Sequence, residues 1–226
     1  MYKEFKNKID FFIRNSTKFS RRNFVETDIE LIKRNKAENN YTFDLLNRYF
    51  SKTTKPEIKI LDIGCKNWFY AEGMHRYFST LCNNIQLDGV ELDAFRLYSN
   101  LYSRFEVAKY YTKELKNCNY ITGNLLKISG KYDYITWFLP FVHINPHTSW
   151  GLPKNLFYPE KLLEHAYKIL EPNGQMLIIN QGDIEYEIQK SLLEKLKIPY
   201  KELGQITSKE FSYKKTRYGF LCNKTG

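Results

Sequence analysis

The sequence is poor in the residues that build metal centres and disulfide frameworks. Its 226 residues include four cysteines, Cys65, Cys82, Cys118 and Cys222. They lie far apart and form no C-x-x-C pair, which argues against a zinc site or a disulfide staple and for reduced thiols. Of the four histidines, only His143 and His147 are close in sequence. A metal would want a third ligand, and Pro146 between them rules out an ordinary helical presentation, so no metal is expected. No apolar run is long enough to cross a bilayer, which excludes a helical membrane protein. The N-terminus, MYKEFKNKIDFF, is charged throughout and lacks a secretory hydrophobic stretch. The expectation is a cytoplasmic protein with no membrane partner. Internal repeats and low-complexity segments are also absent.

What is present is aromatic and basic. The 18 Tyr, 16 Phe and a hydrophobic content of 42% exclude global disorder, and the length suits one α/β domain with an elaboration. The net charge is +10. The surplus sits on the first 55 and last 32 residues, while the middle is slightly acidic. Basic ends suit an anionic partner such as RNA. A lysine-rich solvated surface explains them as well, and no base-stacking motif accompanies them. A nucleic-acid partner is therefore the second choice behind a small molecule.

The chain is organised around IKILDIGCKNWFY, Ile58 to Tyr70. Ile58 to Leu61 reads as a buried parallel strand. Asp62 and Gly64 end it, and a helical pattern runs from Ala71 to Asn83. Strand, glycine-containing turn and helix start make a geometry that binds the polar end of a nucleotide-like ligand. Upstream, residues 1–16 show helical spacing. A capping-box pattern at Thr27 to Glu30 opens a second helix that reaches Phe50, with a break expected near Asn39-Asn40. Residues 1–55 are read as a helical extension packed on the core, with a lid over the ligand as the alternative. Downstream, a second strand, Ile85 to Glu91, ends in an acid. Ala94 to Leu115 reads as one long aromatic helix. Strands follow at 119–123 and 131–138, then an apolar loop over 139–158. Next come a helix over 159–170, a turn over 171–174, a strand over 175–182, a helix over 184–196 and a terminal strand pair at 200–206 and 213–223.

These elements together, over roughly 56–223, resemble the class I S-adenosylmethionine-dependent methyltransferases. LDIG (61–64) resembles the family's first motif, and DGVELD (88–93) its acid-terminated second strand. TGNLL (122–126) and YDYITWFLPF (132–141) resemble the adenine-side stretch and the fourth motif. LLEHAYKILEPNGQMLIIN (162–180), with its L-x-P-x-G turn before an apolar strand, is the most specific match. GCKNW, LPFVH, WGLP and NQG also resemble a branch of methyltransferase-like proteins. The resemblance implies a three-layer, doubly wound α/β fold over 56–226. Its seven-stranded sheet would be mostly parallel with an antiparallel C-terminal strand, and N-terminal helices would be added to it. It implies S-adenosyl-L-methionine as cofactor and a small-molecule methyl acceptor. The cofactor would lie over Asp62, Gly64, Lys66 and Trp68, its ribose on Glu91, and its adenine near Leu92, Asn124 and Leu125.

The first motif of that family usually carries three glycines, whereas here Lys66 and Trp68 stand at the second and third. A Cβ at 66 narrows the backbone's choices, and an indole at 68 could obstruct the cofactor's approach. The alternatives are a non-catalytic protein on the same fold that has lost cofactor binding, and an RNA methyltransferase that uses the basic ends. The sequence argues against a nicotinamide dehydrogenase, because G-x-G-x-x-G would need glycines at Lys66 and Phe69. Around the implied site, His143 suits a general base. Trp150 and Tyr158 could wall a substrate, and Asn180 could orient a polar acceptor.

Overall fold

A computed structural model describes residues 29–98 and 101–226. The helix expected over 1–16 and the capping-box residues Thr27 and Asp28 lie outside the described residues. The helix α1 (Ile29–Tyr49) leads in, followed by β1 (Glu57–Ile63), α2 (Ala71–Leu81), β2 (Asn84–Glu91), α3 (Arg104–Thr112), β3 (Cys118–Thr122) and β4 (Tyr132–Phe138). The second half holds α4 (Ile144–Ser149), α5 (Pro159–Ile169), β5 (Leu170–Gln181), α6 (Gly182–Lys195), β6 (Tyr200–Ile206) and β7 (Arg217–Asn223).

In β1, Ile58 is buried and Lys59 exposed, and from Ile60 to Ile63 the strand is buried on both faces, as a central parallel strand requires. The sheet order is β3-β2-β1-β4-β5-β7-β6, with only β7 antiparallel to its neighbours. This is the doubly wound, seven-stranded sheet that the family resemblance implies. Strand order reverses between β1 and β4, so their carboxyl ends open a crevice there. Two apolar clusters sandwich the sheet. One joins Leu45, Leu46, Phe50 and Phe78 with Ile58, Ile60 and Leu87. The other joins Leu163, Ala166 and Leu193 with Leu61, Ile135 and Ile178. The result is three layers.

Four local expectations are corrected. First, α1 continues unbroken through Asn39-Asn40. Asn39 turns its amide back to the Asn35 carbonyl at 2.9 Å, leaving the backbone ladder intact. Second, among the described residues of the stretch expected as a helix from Ala94 to Leu115, only α3 is helical. Ser103 starts α3 with a capping box: its Oγ accepts from the Glu106 N–H at 3.2 Å, and Glu106 Oε2 accepts from the Ser103 N–H at 2.9 Å. The chain before it folds back, with Leu101 at φ +64° and a bridge between Leu97 and Ser103. Third, the 139–158 loop contains α4, with Pro146 in its first turn, where no intrahelical donor is lost. Fourth, the turn expected over 171–174 lies within β5, which carries a register shift opposite Tyr132/Tyr134 and Asn173 at φ +63°.

Candidate functional site

A cavity of about 1050 Å³ opens at the carboxyl ends of β1, β2, β4 and β5. The turn after β1 forms its floor. Gly64, Lys66 and Trp68 all have positive φ, at +69°, +55° and +47°. The left-handed backbone of a three-glycine turn is thus retained with only one glycine. Each non-glycine residue held there costs roughly 1–2 kcal/mol. Tertiary contacts offset that cost. The Lys66 N–H donates to Glu91 Oε2 at 2.9 Å, and the Tyr120 hydroxyl donates to the Lys66 carbonyl. The Trp68 indole is fully buried against β2 at Gly89, where an added Cβ would fall 2.7 Å from the ring. The glycine missing at 68 has its counterpart at 89.

Trp68, named above as a cofactor contact, is therefore corrected to a core residue and does not line the cavity. Asp62 also lies beneath the floor, fully buried. It accepts from the Tyr70 hydroxyl at 2.8 Å and from Thr136 Oγ1 at 2.6 Å. Burial pushes its carboxyl up to about 7, with the two hydroxyl donors working against that rise. Asp62 ties the turn to β4 and presents no atom to the cavity.

Glu91 does reach the cavity. Its carboxylate takes the Lys66 N–H, the Asp93 N–H at 2.8 Å and a 3.3 Å ion pair from Arg104. Arg104 is almost fully buried, and the reversal before α3 sets it there. An ionised carboxylate has about four acceptor positions, so one remains. Sequence reasoning missed Arg104, although the S-x-x-E signal at 103–106 was available to find α3's start. Asn124 and Leu125 line the same end with Leu92. Asn124 Oδ1 caps a short turn by accepting from the Leu126 N–H at 2.9 Å, and its amide donates to the Tyr158 hydroxyl at 2.7 Å. Tyr158 thus stands beside Asn124, apart from the opposite wall.

Trp150 and His143 come from the arm over 139–158, and both line the cavity. Lys66 Nζ and the Arg104 guanidinium each lie 5.1 Å from the Trp150 ring centroid. Arg96 donates to the Trp150 carbonyl and pairs with Asp93 at 2.6 Å, tethering the arm to the β2 end. His143 is half-buried at the start of α4, without a side-chain capping bond. His147, by contrast, is buried and bonded to the Pro153 carbonyl at 2.8 Å. The structure separates the two histidines into a cavity residue and a loop anchor. Among the described residues no cluster of three His, Cys, Asp or Glu could hold a metal. No helix of the described residues is long and apolar enough to cross a membrane.

Asn180, assigned above to the acceptor, is corrected to a fully buried residue outside the cavity. Its neighbours Ile179 and Gln181 line the cavity, and strand alternation turns Asn180 to the opposite face.

The opposite wall comes from α1 and the segment 207–217, which the sequence does not link. Arg34, Glu38, Tyr41 and Thr42 face Tyr213, Lys215 and Arg217. Tyr41 and Tyr213 meet edge to face at 5.3 Å, and Asn40 donates to Glu210 at 3.0 Å. Asn35 and Asn39 fix α1 to the floor by donating to the Phe69 carbonyl at 2.6 and 3.0 Å. The Gly73 N–H donates to Asn39 Oδ1 at 2.6 Å, and a Cβ on Gly73 would fall 2.2 Å from the Asn39 carbonyl oxygen. Glu38 is buried and pairs with Arg34 at 3.3 Å. Burial raises its pKa, and Arg34 opposes the rise. Burial lowers the pKa of Lys66, and Arg104 adds to the effect.

No protein-family model and no curated protein matches the chain. Solved structures do. A SAM-dependent methyltransferase from Aquifex aeolicus is 15% identical, with a TM-score of 0.55 over 88% of this chain and 99% of that one. Magnesium protoporphyrin IX methyltransferase from Synechocystis PCC 6803, with bound SAM, is 9% identical, with a TM-score of 0.54 over 91% and 89%. A methyltransferase from Pyrococcus furiosus is 18% identical, with a TM-score of 0.53 over 84% and 83%. At these identities the likeness is one of fold. The chain has the Rossmann-like fold of the class I methyltransferases.

Proposed function

We propose that the chain is an S-adenosylmethionine-dependent methyltransferase acting on a small molecule. The observation that carries this reading is the β1 turn. Positive φ at Gly64, Lys66 and Trp68 keeps the backbone of a glycine-rich ligand turn while the Trp68 ring is removed into the core. The residues present fit the cofactor. An added Cβ on Gly64 would meet nothing nearer than Trp137 at 4.0 Å, and one on Gly123 nothing within 4 Å, so both glycines face open space. Lys66 is a cavity cation with no ion pair to an acid among the described residues, which suits the carboxylate end. The remaining acceptor position of Glu91 suits a ribose hydroxyl, and Leu92, Asn124 and Leu125 suit the adenine.

The bound cofactor would supply a methyl group on a sulfonium, which needs no covalent enzyme intermediate. This chain's residues would contribute positioning and water exclusion. His143 would take a proton from an acceptor that must lose one. Trp150, held over Lys66 and Arg104, would close the cofactor end.

Calorimetry with S-adenosylhomocysteine tests this directly. Micromolar binding is expected. Glu91→Gln, which keeps an oxygen toward Arg104, should weaken it about tenfold, on the order of 1.4 kcal/mol for one charge-assisted bond. Absence of heat with both S-adenosylmethionine and S-adenosylhomocysteine would put the non-catalytic reading in first place.

A further inference from the structure

The cavity, at about 1050 Å³, lies at the upper end of the range for small-molecule sites, about 300–1,000 Å³. A cofactor along the β1–β2–β3 end leaves the wall between α1 and 207–217 for a second molecule. We propose that this wall is the acceptor subsite and that it takes a planar aromatic carrying one carboxylate, gripped by Arg217. The inference rests on the methyltransferase reading for the word acceptor, and on this wall's own chemistry for the rest.

Arg217 lines the cavity at the start of β7, half-buried. Its guanidinium lies 4.5 Å from the Tyr213 ring centroid, and one Nη donates to Gln181 Oε1. Those two contacts fix the plane of the fork and use one of its five N–H groups. Among the described residues it makes no ion pair with an acid. The acids of this wall are engaged elsewhere. Glu38 pairs with Arg34, Glu185 accepts the Gln181 N–H at 2.9 Å, and Asp183 accepts the Tyr218 hydroxyl at 2.6 Å. Glu185 is near enough to be felt electrostatically, yet burial still lowers the guanidinium's pKa overall. A pre-oriented, half-buried guanidinium without a counter-ion matches a planar carboxylate in a bidentate grip.

The wall carries one arginine without an acid partner. Arg34, Lys215 and Arg217 stand against Glu38, Asp183 and Glu185, so the wall is neutral overall, and with Arg34 paired to Glu38 the attraction for an anion is local to the Arg217 fork, which matches one carboxylate. The cavity that Arg217 lines is also lined by Tyr41, Phe69, Tyr70, Phe138 and Tyr213, of which Tyr213 touches both Arg217 and Tyr41. Tyr70 and Phe138 pack 5.6 Å apart, an aromatic pair on which a flat ring could lie.

The experiment uses full-length protein saturated with S-adenosylhomocysteine. Benzoate and 4-hydroxybenzoate are titrated against benzamide and 4-hydroxybenzamide, followed by ligand-observed NMR. The carboxylates should bind at least tenfold more tightly than the amides. Arg217→Gln should erase that preference while leaving the S-adenosylhomocysteine affinity within twofold of the parent. Arg217→Lys, which keeps charge and stem but not the fork, should give an intermediate preference and guards against a variant that fails to fold. Equal binding of acids and amides, no carboxylate binding, or an unchanged preference in Arg217→Gln overturns the proposal. Failure of S-adenosylhomocysteine to bind is read in the first titration and overturns the cofactor reading alone. The same carboxylate series on the ligand-free protein then decides the subsite.

Discussion

The two sides of the cavity are built differently. The β1–β2–β3 side is made from short-range pieces: a turn, the acid that ends β2, and a cap at Asn124. The bonds around Glu91 join residues 25 apart or fewer, Lys66 to Glu91 and Glu91 to Arg104, and Tyr120 reaches Lys66 over 54. The α1 side is assembled across the chain. Asn40 to Glu210 spans 170 residues, and Arg48 to Thr207 spans 159. The first side tolerates an unusual sequence because its neighbours compensate locally. The second exists only once the chain ends have come together. One wall of the cavity is thus set by local pieces of chain, and the opposite wall by contacts between distant ones.

The largest expected effect probes the local compensation. Trp68→Gly removes a buried indole and should destabilise the protein by about 3 kcal/mol or more, even after relieving the positive φ. Gly89→Ala in the parent should cost about 1–3 kcal/mol through overpacking, and far less in the Trp68→Gly background. Additive losses in denaturant titrations would show that the two positions are not a pair.

Next comes the long-range wall. Gly73→Ala places a Cβ against the Asn39 carbonyl and should push α1 away, again at about 1–3 kcal/mol. Carboxylate binding should fall more than S-adenosylhomocysteine binding. Equal losses in both would mean that the two sides do not behave as separate parts.

A smaller effect is a pH slope. Asp62 has a folded pKa of about 7, raised above its unfolded value. The folded state therefore binds more protons than the unfolded state between about pH 4 and 7, and stability falls as pH rises through that window. The slope approaches about 1.4 kcal/mol per pH unit from this one group. Asp62→Asn should lack it, so its stability relative to the parent should climb from pH 4 to 7 and then level off. Parallel curves in chemical denaturation at several pH values would count against a raised Asp62.

The smallest effect has two opposed signs. Lys66→Gly relieves a non-glycine residue at φ +55° and should stabilise the protein by roughly 1 kcal/mol. It also removes the cation assigned to the carboxylate end, so S-adenosylmethionine should bind several-fold more weakly. Tighter binding in Lys66→Gly would reject that assignment.

The elements that the sequence made legible are those whose signal is local. The β1 run, the acid-ended β2, the apolar β5 and the Pro-started α5 follow from strand alternation, helix periodicity and capping, all of which act within a few residues. The same logic put Gly64 and Glu91 at one edge of the sheet, and the family resemblance added Asn124 and Leu125. It failed at Ala94–Leu115, where an aromatic run was read as one helix and the Ser103 capping box was passed over. It also failed wherever a side chain's direction mattered. Lys66 and Trp68 both stand where glycine was expected, and the sequence treats them alike. Only the packed structure turns one into the cavity and the other into the core, because the space beside Gly89 is created by β2 and β3. The sequence by itself determined the strand order's raw material and the identity of the β1 turn. The tertiary structure decided that Asp62 holds the floor, that Asn180 faces away, and that Arg217 meets Tyr213 and the α1 wall. Those outcomes depend on contacts between distant segments, and such contacts leave no periodic or neighbouring trace in the chain.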